Sequence, residues 1–306
     1  MKKNILVIIL ILIAVFLIWM NKSIAPTNET KLKVATLKGP AGIGMVKLME
    51  ENKYEFTIVN TPEEIVAKVT SGSVDIATVP TNLASTLHNK TNGDIQVFGT
   101  TTLGVLYILD STGTVNSLSD LSGKTLYATG QASVPEYVIN YILKENNILD
   151  VTIEYLKEHS DLATKALAGE APIIMLPEPF VTTVLNKNEN FKRAIDLTSE
   201  WKNINNSELP MGVIIAKKGV NLDTFIKDYK NSTEFTNTNI DEVASLAVKY
   251  EIIANIDIAK KAIPNCNIAF ITQNNMKNDV SKFLEILYDF DAKSIGGKLP
   301  SEEFYY

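Results

Sequence analysis

The residues able to do chemistry in this chain are few, and one of them is unusually framed. In IIMLPEPFVTTVL, Ile173 to Leu185, a lone carboxylate, Glu178, stands between Pro177 and Pro179 directly after four apolar residues that read as a buried strand. Prolines on both sides restrict the backbone, so this carboxylate is held in place rather than left on a plain surface loop. Two glycine turns, KGPAGIG (Lys38 to Gly44) and TGQAS (Thr129 to Ser133), each follow a strand-like run and precede a helix-like one. Their candidate contacts are Lys38, Gly39, Pro40, Ala41 and Gly42 in the first turn, and Thr129, Gly130, Gln131 and Ala132 in the second. Glycine lets the backbone approach a ligand closely, and the free N–H groups of a following helix suit an anion. Thr81 and Asn82 in TVPTN, and Thr101 and Thr102 in the run Thr100 to Thr102, add hydroxyls and an amide. Thr81 or Asn82 also reads as a helix cap.

Catalysis finds little to work with. His88 lies in a helical run ending HNK and reads as a surface residue, while His159 opens a helix beside Ser160. No Ser-His-Asp order, no HExxH and no metal-spaced His/Cys cluster occurs, so no catalytic residue, metal or cofactor is expected. KGPAGIG has neither Walker A nor dinucleotide-fingerprint spacing. Cys266 is the only cysteine; it cannot form an intramolecular disulfide and reads as a small buried hydrophobe. Arg193, the only arginine, follows the polar NKNENFK and is expected to face solvent. An anionic ligand would therefore rest on N–H groups and hydroxyls at Gly39 to Gly42 and Thr129 to Ser133. Glu178 would repel a purely anionic ligand, and suits one that carries an ammonium, amidine or aminopyrimidine. The alternative is that Glu178 caps the helix beginning near Phe180.

The elements around these residues follow a repeated grammar. The chain has 306 residues with 45% hydrophobic and 21% charged content, enough for two modest domains. Net charge is −6, and the leader holds three of the lysines, so the body is acidic and unsuited to nucleic acid. KVATL, EFTIV, DIATV and IQVFG read as strands, and TPEEIVAKVTSG as a helix with Thr61 at its N-cap, Pro62 next and Glu64 closing a capping box. That rhythm indicates parallel βαβ units. VTSGSVDIATVPTNLASTL (Val69 to Leu87) overlays ALAGEAPIIMLPEPFVTTV (Ala166 to Val184) without gaps, and LKGPAG overlays ATGQAS. Two lobes of similar build follow, each presenting its turns at the carboxyl edge of its sheet, where open α/β sheets bind ligands. LGVLYILD (Leu103 to Asp110) and MGVIIAKK (Met211 to Lys218) read as crossings. The expected division is a leader and tether over 1–32, a discontinuous first lobe over 33–109 and 211–306, and a second lobe over 110–210.

MKKN followed by ILVIILILIAVFLIWM describes an export signal. The expectation is an uncleaved anchor that holds the body at the outer face of the cytoplasmic membrane, or else a cleaved signal and a secreted body.

VDIATVPTNLAS, LSDLSGKTLYATGQASVPEYV, MLPEPFVTTVL and the tail SIGGKLPSEEFYY resemble the solute-binding proteins of ABC importers, in the branch for nitrate, sulfonates, taurine and thiamine precursors. The resemblance covers about Lys33 to Tyr306, and it rests on the order of these motifs more than on any one of them. It implies a two-lobed periplasmic-binding-protein clamshell of type II. Each lobe would be a mixed, mainly parallel sheet flanked by helices, with two crossing strands as hinge. It also implies a monomer that captures a small sulfonate-, taurine- or aminopyrimidine-like solute for a permease and its ATPase. Its ligand loops fall on Lys38 to Gly44, Pro80 to Asn82, Thr100 to Thr102, Thr129 to Ser133 and Pro177 to Pro179. A ligand-sensing receptor of the same fold is the alternative. Thiamine-pyrimidine synthases and menaquinone-pathway lyases share the fold, but the cysteine-rich motif of the former is absent here and the latter lack an export leader.

Overall fold

The computed structural model describes residues 31–306; the apolar leader and nearly all of the tether expected from the sequence lie outside the described residues. Among the described residues no helix is long and apolar enough to cross a membrane. The chain runs β1 (Lys33–Leu37), α1 (Pro40–Ile43), α2 (Val46–Glu51), β2 (Glu55–Val59), α3 (Pro62–Thr70), β3 (Ile76–Pro80), α4 (Thr81–Lys90) and β4 (Ile95–Thr102). It continues through β5 (Leu106–Asp110), β6 (Thr125–Thr129), α5 (Val134–Glu145), β7 (Thr152–Leu156), α6 (His159–Leu167), β8 (Ile173–Pro177), α7 (Phe180–Lys187), β9 (Lys192–Asp196) and α8 (Leu197–Asn205). It ends with β10 (Gly212–Lys217), α9 (Asp223–Thr238), α10 (Ile240–Lys249), α11 (Ile256–Ala262), β11 (Ile268–Ile271) and α12 (Gln273–Asp291).

These strands form two sheets, a six-stranded one ordered β11-β4-β10-β3-β1-β2 and a five-stranded one ordered β7-β6-β8-β5-β9. In the first, β2, β1 and β3 run parallel and β10 enters antiparallel beside β3. In the second, β7, β6 and β8 run parallel and β5 enters antiparallel beside β8. Each sheet is thus a parallel trio closed by the strand that arrives from the other sheet, which is the two-lobed clamshell in outline. The internal echo is real in three dimensions. Gly39 and Gly130 both take left-handed φ, at 105° and 82°, and Pro80 and Pro177 close equivalent strands β3 and β8.

The sequence reading keeps residues up to 109 with the first lobe. Leu106–Asp110 instead pairs with β8 and β9, so the chain leaves the first sheet after Thr102 and crosses at Leu103–Val105. A crossing strand must hydrogen-bond on both edges of its run, and this one finds those partners in the second sheet. The return crossing follows α8 and ends where Gly212 begins β10.

Local signals behave as chemistry dictates. Thr61 Oγ1 accepts from the Glu64 N–H and the Glu64 carboxylate accepts from the Thr61 N–H, completing the capping box of α3. His88 corrects an expectation: it is 4% exposed, its Nδ1 lies 2.7 Å from the Ile95 carbonyl and its ring meets Phe304 edge-on at 5.1 Å. The C-terminal tail folds over α4 and β4, which removes His88 from the surface.

Three apolar cores hold the body together. One packs α1, α2, α9, α10 and α11 against one face of the first sheet, and another packs α6 and α7 against one face of the second. The third is shared: it joins Ala35, Val79, Val97 and Val213 of the first sheet to Leu106, Ile108, Leu126 and Met175 of the second. Helix α12 stitches that core. Its Phe283 ring lies 5.4 Å from that of Trp201 on α8, Phe290 lies 6.1 Å from Tyr141 on α5, and Lys282 Nζ donates to the Asn205 carbonyl at 2.7 Å. Phe283 is 1% exposed and Trp201 fully buried. Replacing Phe283 by alanine should cost about 3–5 kcal/mol, as large-to-small changes in a packed core do, and lower the urea midpoint of a single transition that spans both sheets.

Candidate functional site

The carboxyl ends of β1, β2, β3, β6, β7 and β8 converge on one cleft of about 770 Å³. Open α/β sheets place ligands at this edge, and the volume suits a small molecule. The crossings supply its floor through Thr102, Val105, Met211 and Gly212. Its walls are largely apolar, from Leu37, Val66, Val79 and Leu83 on one side and Val134, Leu156 and Phe180 on the other. Charged lining residues carry both signs, among them Lys38, Glu63, Lys157 and Glu158, and no arginine lines it.

Of the residues singled out in the sequence, Lys38, Gly39, Pro40, Ala41, Thr102, Gly130, Gln131, Ala132 and Glu178 line this cleft. Gly42, Thr81, Asn82, Thr101 and Thr129 do not, and each has a packing role. A Cβ on Gly42 would stand 2.7 Å from the Leu37 carbonyl oxygen, so only glycine lets the turn fold against β1. Thr81 Oγ1 donates to the Pro210 carbonyl at 2.6 Å and Asn82 Nδ2 to the Ser294 carbonyl at 3.1 Å. They tie α4 to distant chain rather than capping it. Thr101 is fully buried in β4, and the Thr129 hydroxyl turns to His159.

Two expectations about charge are corrected. At the second glycine turn, the Ala132 N–H is already taken by the Glu136 carboxylate at 2.5 Å, and the Ser133 N–H donates to the Gly130 carbonyl. The chain supplies its own anion where a ligand's was expected. Glu178 is fully buried, and its carboxylate accepts from the Thr182 N–H at 3.1 Å and pairs with Arg193. Arg193 is exposed, as expected, yet its guanidinium folds back to pair with Glu178. From the edge strand β9 its guanidinium lies over the Tyr107 ring, 4.7 Å from the centroid, and reaches the end of β8. Burial pushes the Glu178 carboxyl above its ordinary range, while the Thr182 N–H and the Arg193 guanidinium pull it back. The peptide bond between Glu178 and Pro179 is cis. Glu178 thus caps α7 and neutralises Arg193, and is no free counter-charge.

His159 is the residue that sequence reasoning passed over. It is half-buried at the cleft wall, with Nδ1 2.6 Å from Thr129 Oγ1 and its ring 5.1 Å from that of Phe180. Burial pulls the imidazole down to about 4, so it is neutral near pH 7. The signal was available: His159 opens the helix that follows the parallel strand TIEYL after a two-residue turn, which puts it on the ligand-facing edge. Thr102 adds a buried hydroxyl at the floor that finds no hydrogen-bond partner among the described residues.

In comparison with known proteins, no curated protein matches the chain in sequence. Solved structures match it closely in fold. An ABC transporter protein from Parabacteroides distasonis superposes with a TM-score of 0.80 at 23% identity, covering 91% of this chain and 99% of that one. The periplasmic aliphatic sulphonate binding protein SsuA from Escherichia coli gives 0.73 at 14% identity, over 90% and 92% of the two chains. The periplasmic nitrate-binding protein NrtA from Synechocystis PCC 6803 gives 0.61 at 10% identity, over 86% and 82%. At these identities the likeness is one of fold, and that fold is the periplasmic-binding-protein clamshell. Residues 40–263, which take in the whole second sheet and most of the first, match the family model described as menaquinone biosynthesis, and the chain belongs to that family.

Proposed function

We propose that the chain is an extracytoplasmic solute-binding protein, which captures a small molecule between its lobes and delivers it to an ABC permease. The observation that carries this reading is the cleft itself, walled by the carboxyl ends of both parallel trios and floored by the two crossings. The folds that resemble it are named as binding proteins for sulphonate and nitrate, and the lysines before an apolar run support export. The sequence reading of the solute as sulfonate-, taurine- or aminopyrimidine-like narrows on physical grounds. With Glu178 committed to Arg193, nothing at that turn supports a cationic ligand, and the apolar walls favour a solute with a larger hydrocarbon or ring portion than taurine. The residues proposed to touch it are the cleft-lining members of the two glycine turns together with Thr102.

A second reading draws on the family's description and on the neutral His159 in the cleft: an enzyme that acts on a small molecule in menaquinone biosynthesis. The two differ in what becomes of the ligand. A thermal-shift screen of the full-length protein with sulfonates, taurine, aminopyrimidines, nitrate and aromatic acids should find one class that raises stability by about 2.7 kcal/mol at a hundred times its dissociation constant. Mass spectrometry should then recover that ligand unchanged. Recovery as a converted product would favour the enzyme, and a flat response across the whole set would remove the solute-binding reading. Glu178→Gln should lower the melting temperature, at a cost of about 1–3 kcal/mol, because a charge-assisted pair is lost. Its effect on affinity for the solute found in the screen should be within twofold. A selective loss of affinity without loss of stability would restore Glu178 as a ligand contact.

A further inference from the structure

The pair Thr129–His159 bears on which solutes the cleft accepts, if the solute-binding reading above holds. Thr129 is 1% exposed and lies beneath the cleft wall, and its hydroxyl is 2.6 Å from His159 Nδ1. That is the only hydrogen bond its side chain makes among the described residues. A hydroxyl has one proton to give. If Nδ1 held the ring proton, Thr129 would accept it and its own buried proton would meet no acceptor, which buried donors avoid. The hydroxyl therefore donates to Nδ1, and the ring proton sits on Nε2. His159 lines the cleft, and no protein acceptor takes its Nε2–H among the described residues. Beside it stands the Phe180 ring, tilted 46° to the imidazole, with Val134 and Leu156 on the same wall.

We propose that the His159 Nε2–H is the solute-selecting donor of the cleft, taking an oxygen acceptor on a ring-bearing molecule whose flat face packs on Phe180, with Thr129 as the positioning residue that fixes the tautomer. Carbonyl, carboxylate and sulfonate oxygens satisfy this donor. A ring whose one polar group is a cationic donor leaves it unpaired and is rejected, because a site built to hydrogen-bond discriminates against ligands that cannot.

The experiment uses full-length protein and two matched probes, benzoate and benzamidine. With two histidines in the chain, long-range 1H–15N spectra of wild type and His159→Gln assign the His159 signals directly. Wild type should show the Nε2–H tautomer, and Thr129→Val should lose that preference while Thr129→Ser restores it. Benzoate should shift the His159 signals saturably and benzamidine should not. Benzoate affinity should fall at least about tenfold in His159→Leu, the scale of one lost hydrogen bond, and should be largely kept in Thr129→Ser. An Nδ1–H tautomer in wild type overturns the inference whether or not the protein binds solutes. Benzoate binding that is indifferent to His159→Leu, preference for benzamidine, or binding of neither probe overturns it too. None of these results touches the solute-binding reading, which stands or falls on the broader thermal screen.

Discussion

The apolar seam between α12 and the helices α5 and α8 is the constraint on which the rest of the molecule rests. Two sheets joined by short crossings have no intrinsic reason to stay in register. Here Trp201, Tyr141 and Phe283 pack across the division between the sheets within one continuous core, and Phe290 meets Tyr141 at its margin. Aromatic clusters of this kind are among the largest single contributors to packing. With the sheets so held, the carboxyl ends of six parallel strands have a fixed common space to line. The crossing at Gly104 is correspondingly tight: a Cβ there would stand 2.1 Å from Thr198 Oγ1. The connection between lobes is thus packed on α8 rather than free, and any relative motion must carry α8 along.

Polar groups near the cleft follow an economy that the sequence alone conceals. The turn at Thr129 to Ser133 has the composition of an anion cradle, and it cradles an anion, but that anion is Glu136 of the next helical turn. Glu178 has the framing of a ligand contact, and its charge is spent on Arg193 and on the Thr182 amide in the first turn of α7. The two cases have different causes. Glu136, half-buried in the first turn of α5, takes a free amide of the preceding turn, as acidic groups do at helix starts. Glu178, by contrast, is buried, and a buried charge must be paired or hydrogen-bonded, a need that Arg193 on the neighbouring strand and the Thr182 N–H meet without a ligand. What remains for a solute is then the apolar lining, the glycine turns, exposed Lys38, and two donors, Thr102 Oγ1 and His159 Nε2, that find no acceptor among the described residues.

Much of this architecture was legible. The strand-helix rhythm, the capping box at Thr61 and Glu64, the paired glycine and proline turns and the two-lobed clamshell all arise from local rules that hold wherever the pattern occurs. The misses are of one kind. His88 was expected at the surface because its neighbours in sequence are polar, yet the C-terminal tail covers it, and Arg193, exposed as expected, lies over Tyr107 and pairs with Glu178, which its sequence neighbours do not announce. Thr81 and Asn82 have cap chemistry, but their partners at Pro210 and Ser294 lie far along the chain. Side-chain destination depends on long-range pairing, and a single sequence carries little of it. His159 shows the converse. Its place after a parallel strand was sufficient to put it on the ligand edge, and only the absence of a catalytic motif diverted attention from it.

The cleft's balance of charge also bears on how it can discriminate. Its lining mixes Lys38 and Lys157 with Glu63 and Glu158, so no single sign dominates and long-range attraction of an ion is weak. Selectivity must therefore come from short-range terms: apolar area removed from water and donors that are left unpaired by the wrong solute. Of these, area is tolerant of shape, while an unpaired buried donor is not. The Thr102 hydroxyl ends β4 of the first sheet, and His159 opens α6, which follows β7 of the second. A solute that satisfies both must touch both lobes at once, and that simultaneous contact is what would give a two-lobed receptor a bound state distinct from its empty one.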